Sequence, residues 1–101
     1  MVQKITPAAA RRMMEAGEAV PVDVREPSEY AAGHIPGARL LPLGSVRIKA
    51  ADVIPDQEAA WLIYCRSGQR SAMAAAQLEA MGYHNLYDLG GIMAWPYEVE
   101  R

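Results

Sequence analysis

The chain has 101 residues, a mass of 11.0 kDa, a net charge of -2 and an isoelectric point near 5.6. That length suits one domain, residues 1–101, with one respectable core. Mild acidity with scattered basic residues argues against nucleic acid, no apolar run is long enough for a membrane span, and one unpaired cysteine fits a reducing, cytoplasmic setting.

Short apolar runs alternate with alanine-rich stretches, the pattern of an α/β domain with a mainly parallel sheet. Val2 to Ile5 reads as a first short strand. Thr6 is then an N-cap and Pro7 the first helical residue, with Ile5 and Ala10 as a staple. The helix Pro7 to Ala16 sets Ala9, Met13 and Ala16 on one face, and Gly17 stops it. The start carries Arg11-Arg12 in place of an uninterrupted apolar stretch, unlike a signal peptide.

Ala19 to Val24 is apolar on both faces as far as Val22, as in a strand covered by helices on each side. Pro21 lacks a ladder donor and belongs near a strand start or edge. Glu26 to Gly33 is a short helical turn, and His34 to Ala38 is a turn around Pro36-Gly37. Arg39 to Leu43 is a third strand. The stretch Gly44 to Glu58 carries no clear period; Ser45 to Lys49 reads equally as a turn of helix or as extended chain, with a turn at Pro55-Asp56-Gln57.

Ala59 to Tyr64 is a buried strand that delivers Cys65, the only cysteine, to its end. The helix from Ser71 to Met81 follows, with Ala74, Leu78 and Met81 at helical spacing and Gly82 as its stop. A strand leading through a short loop into a helix N-terminus presents unpaired amides and a positive dipole end, which favours a thiolate. Arg66 and Arg70 act in the same direction, and Gly68 lets the loop turn tightly. Cys65 is therefore read as a reactive thiol and not as a small buried hydrophobe. Asn85 to Leu89 is the last strand, Gly90-Gly91 a sharp turn, and Ile92 to Trp95 a helical turn stopped by Pro96. His34 and His84 are far apart and no Cys-x-x-Cys occurs, so no metal is expected; without a Gly-rich phosphate loop, no nucleotide or other cofactor is expected either.

Three stretches resemble a single-domain rhodanese, the thiosulfate sulfurtransferase family. They are Val22 to Tyr30 running into Gly33-His34-Ile35-Pro36-Gly37-Ala38, then Cys65 to Ser71, then Leu89 to Trp95. The resemblance implies a five-stranded, mainly parallel sheet flanked by helices on both faces, with a six-residue loop, Cys65 to Arg70, curved around a cysteine persulfide. It implies Cys65 as the nucleophile that takes a sulfane sulfur from a small anionic donor such as thiosulfate and passes it to cyanide or a thiol. Arg66, Ser67, Gly68, Gln69 and Arg70 are then the substrate and persulfide loop. With no second cysteine, the acceptor comes from outside, and ping-pong kinetics follow.

Phosphatases of the cysteine class, some of which share this fold, use Cys-x5-Arg; here Arg70 follows after four residues, and the shorter loop argues against phosphatase or arsenate reductase chemistry. Asp23, Arg25 and Glu29 are read as an ion pair or cap after the strand, and His34 as a hydrogen-bonded turn residue. Trp95 and Gly90-Gly91 are read as packing under the loop, Arg66 and Arg70 as capture sites for an anion, and Arg47 and Lys49 as a far rim of the mouth. A carrier that hands persulfide sulfur between protein partners fits the same loop, and a non-catalytic module of the same fold is a third class.

Overall fold

The computed structural model describes residues 1–101. All five strands run parallel, in the order β1-β5-β4-β2-β3. They are β1 (Gln3–Lys4), β2 (Ala19–Asp23), β3 (Arg39–Leu40), β4 (Ala60–Cys65) and β5 (Leu86–Gly91), interleaved with α1 (Pro7–Glu15), α2 (Pro27–Ala32), α3 (Val46–Val53) and α4 (Gln69–Ala80). The central strand β4 is buried at every residue, because a parallel strand is covered on both faces by its crossover helices.

Alternation along β4 divides the core. Trp61, Ile63 and Cys65 face α3 and α4, where they meet Val46, Ala50, Ala74 and Leu78. Leu62 and Tyr64 face the opposite layer with Ala10 of α1, Ile35 and Leu89. Leu62 and Ile63 are fully buried, each contributing about 1.5–3 kcal/mol. The small alanines of α4 let it lie close to the sheet.

Local signals explain most boundaries. Thr6 caps α1 through its hydroxyl, which accepts from the Ala9 N–H at 3.1 Å. On α1 the buried residue is Ala10, with Met13 half-buried; Ala16, expected on the inner face, is exposed. Pro21 lies within β2 without loss: it shares its edge with Asp23, whose carbonyl accepts from Leu41, and β3 pairs only with Val22 and Asp23. Both edge strands are shorter than the apolar runs suggest. β1 pairs with β5 only at Gln3 and Lys4, and β3 stops at Leu40 because Pro42 leads into a 3-10 turn, Leu43–Ser45.

Three elements differ from expectation in ways that bear on the site. Residues 46–53 form α3; its period is hidden because Ile48 points outward between Arg47 and Lys49 while Val46 and Ala50 are buried. α4 begins at Gln69, so the end of the cysteine loop is already helical. Gly90 and Gly91 are not a sharp turn but the end of β5, reached through a bulge at which Ile63 pairs with Asp88 and Tyr64 with Gly90.

Candidate active site

Cys65 ends β4, and four residues later the chain is in α4. The reversal depends on Gly68, the N-cap of α4, whose φ of +114° is one that L side chains rarely adopt. This turn aims the Gly68 N–H at Cys65 Sγ, 3.0 Å away. The thiol is buried at 1% exposure, and burial pushes its pKa up. The Ser71, Gly68 and Ser67 amides pull in the other direction, and the net value falls below the ordinary thiol value. The loop thus supplies hydrogen bonds to a sulfur anion without placing a cation against it.

The second layer of the site comes from β5. Gly91 lies directly beneath the loop: a Cβ there would meet the Ser67 Cα at 2.7 Å and the Arg66 carbonyl carbon at 2.8 Å, and would also run into the Arg66 carbonyl oxygen. The Met93 N–H donates to that oxygen at 3.2 Å. Asp88 Oδ1 accepts from the Gly90 N–H at 3.0 Å and lies 2.9 Å from the Ser71 hydroxyl.

Arg70 corrects the reading of a free cation at the mouth. Its guanidinium donates to both Glu29 oxygens, at 2.7 and 3.0 Å, and so ties the loop to α2 across 41 residues. The Arg70 guanidinium and the Glu26 amide hold the Glu29 carboxyl down at about 2. Arg66, by contrast, is exposed and makes no ion pair, which leaves it as the loop's free positive charge. Ser67 and Gln69 are exposed on the loop. Arg47 and Lys49 are exposed on α3, where Lys49 lines a cleft with Glu26, Pro27 and Pro42 that does not include Cys65.

The remaining motif residues build the frame. Asp23, fully buried, accepts from the Arg25 guanidinium at 2.8 to 3.1 Å and from the Tyr64 hydroxyl at 2.9 Å. Tyr64 in turn accepts from the Ile35 N–H at 3.1 Å. Burial and the Asp23 charge push the Tyr64 phenol far above its ordinary value, so it stays protonated as a donor. His34 stacks on Tyr30 and bonds its carbonyl through Nδ1 at 2.9 Å, the turn role expected of it. Trp95 is not under the loop. It packs in the α1 layer and lines a cleft with Met14, Pro21 and Pro36, whereas Gly91, read with it as packing under the loop, does lie there.

A family model described as the rhodanese-like domain matches residues 6–97. The chain belongs to the rhodanese family. It is similar to a sulfurtransferase of Allochromatium vinosum, 39% identical over 87 residues that cover 85% of this chain and 79% of that protein. It is also similar to the thiosulfate sulfurtransferase GlpE of Pseudomonas entomophila, 42% identical over 92% of this chain and 84% of the relative. The solved structure of a rhodanese-like domain protein from Staphylococcus aureus matches this rhodanese with a TM-score of 0.85 at 31% identity, covering 97% of this chain and 96% of that one. Together these likenesses support sulfurtransferase activity at the level of the family.

Proposed function

We propose that residues 1–101 act as one catalytic domain that moves a sulfane sulfur from thiosulfate, or a donor like it, to cyanide or a thiol through a persulfide on Cys65. The observation that carries this reading is the Cys65 sulfur held by the Gly68 N–H at a helix N-terminus, where the nearby Ser67 and Ser71 amides also draw the thiol pKa down. Cys65 thiolate attacks the outer sulfur of thiosulfate. The donor's S–S bond breaks and its electron pair leaves with sulfite, so the enzyme holds a cysteine persulfide anion. The amides that favour the thiolate then favour the persulfide. Cyanide or a thiolate attacks the outer sulfur, and the electron pair of the enzyme S–S bond returns to Cys65.

The dianionic donor meets Arg66 first, since Arg70 is engaged by Glu29. Six residues from Cys65 to Arg70 frame one sulfur, a smaller target than the oxygens of a phosphate, which favours sulfur transfer over phosphatase or arsenate reductase chemistry. A cytoplasmic setting, where a lone thiol stays reduced, suits this reaction. A second reading, in which a protein thiol collects the sulfur and the chain works as a persulfide carrier, uses the same cradle; it is favoured by the lack of a second cysteine, which leaves the persulfide to an outside thiol.

The test is thiocyanate formation from thiosulfate and cyanide, measured for the parent and for Cys65→Ser with several acceptors in parallel. Saturable, ping-pong turnover that disappears in the variant is expected. Transfer that survives the substitution refutes the assignment.

A further inference from the structure

We propose that Asp88 is a positioning residue for the Cys65 loop, its Oδ1 joining the Gly90 N–H beneath the loop to the Ser71 hydroxyl in the first turn of α4. This role rests on the reading of Cys65 as nucleophile. Asp88 is the last β5 residue in regular register, and its carboxylate spans the bulge that follows. Both of its partners bear on the thiolate cradle. Gly90 Cα lies 3.8 Å from where a Cβ of Gly68 would sit, so Gly90 supports the residue whose N–H meets the sulfur. Ser71 turns its amide toward Cys65, and its hydroxyl lies 3.0 Å from the Gly68 carbonyl as well as 2.9 Å from Asp88 Oδ1.

A hydroxyl has one proton for these acceptors. The carboxylate is the stronger of the two protein oxygens, so Asp88 fixes the Ser71 rotor and with it the first turn of α4. Other charged groups flank this junction on two sides. On the Asp88 side are Lys4 of β1, in register with Asp88, and Glu79 of α4, which pairs with the Met1 amino group at 2.9 Å; all line one cleft with Asp88. On the Cys65 side are Arg66, the Arg70–Glu29 pair and the buried Asp23–Arg25 pair of β2. Asp88 itself has no ion-pair partner, so its anchoring rests on the two hydrogen bonds.

The test follows iodoacetamide alkylation of Cys65 against pH by intact mass, together with kcat/KM for thiosulfate, in the parent, Asp88→Ala, Asp88→Asn and Asp88→Ser. With one cysteine in the chain, the alkylation midpoint belongs to Cys65 alone. Asp88→Ala is expected to raise the midpoint and lower kcat/KM by on the order of tenfold. Asp88→Asn keeps an acceptor oxygen in place and is expected to restore the alkylation midpoint. A folded Asp88→Ala protein with the parental midpoint overturns the proposal, and so does an Asn variant no better than Ala. If Asp88→Ala does not fold, Asp88→Ser, whose shorter side chain cannot reach both Gly90 and Ser71, decides: a raised midpoint supports the clamp and an unchanged one overturns it. Alkylation needs no sulfur transfer, so failure of the Asp88 role and failure of the proposed function are read on separate measurements.

Discussion

Gly91→Ala places one methyl group between β5 and the cysteine loop, and the structure gives the size of the disturbance. The new Cβ would meet Ser67 Cα at 2.7 Å, where ordinary contact begins at 3.4 Å, and the Arg66 carbonyl oxygen lies nearer still, so loop and strand separate by at least about 0.7 Å. The obstacle is backbone on both sides and cannot swing away as a flexible side chain would. Overpacking of this kind costs about 1–3 kcal/mol of stability. The larger effect falls on function, because the shift displaces amides that must stay within hydrogen-bond reach of a sulfur anion. A misplacement near 1 Å costs up to about a hundredfold, so kcat/KM for thiosulfate is expected to fall by roughly 10- to 100-fold. The Cys65 alkylation midpoint rises with it. Gly44→Ala, where an added Cβ meets nothing within 4 Å, is the control and is expected to behave like the parent. Steady-state sulfur transfer, thermal melts and alkylation against pH are the assays. A stably folded Gly91→Ala protein with parental kcat/KM and thiol pKa would refute the idea that β5 holds the loop in place.

The two loop arginines are expected to separate by salt. Arg66→Ala lowers kcat/KM for thiosulfate by an amount that shrinks as ionic strength rises, whereas the loss in Arg70→Ala persists, because that side chain anchors the loop to Glu29. Equal salt dependence in both variants contradicts the distinction. Glu29→Gln tests the same pair through stability against pH. The Glu29 carboxyl sits at about 2 against an ordinary 4.5, so its contribution is complete above pH 4.5 and is lost as the pH falls through about 2. Denaturation of parent and variant should differ most above pH 4.5 and converge near pH 2. Tyr64→Phe removes the hydroxyl between Asp23 and the buried Ile35 N–H, and urea titration is expected to show a loss of about 1–3 kcal/mol; no loss would show that these groups find other partners.

The sequence displays what local chemistry writes into it. Thr6-Pro7 announces a helix start, the apolar run into Cys65 a central strand, and the cysteine with Gly68 the cradle. Those signals survive because caps, glycine turns and doubly buried strands leave a mark within a few residues. α3 is hidden because Ile48 is solvent-facing, which breaks the apolar period that would have marked the helix. The end of β5 is hidden because two glycines look like a turn until a partner strand and a loop lie against them. Arg70 shows the same limit: its charge is legible, but its pairing with Glu29 depends on packing between α2 and α4. Asp88 carries no signal of its own, since a carboxylate in a strand becomes a clamp only when the bulge brings Gly90 and Ser71 to it.

The most direct measurement of the central claim is the intact mass of the protein after incubation with thiosulfate. A gain of one sulfur on the parent is expected, discharged by cyanide with release of thiocyanate and absent in Cys65→Ser. A parent that turns thiosulfate over without ever carrying the added sulfur, or a Cys65→Ser variant that carries it, would contradict the persulfide on Cys65.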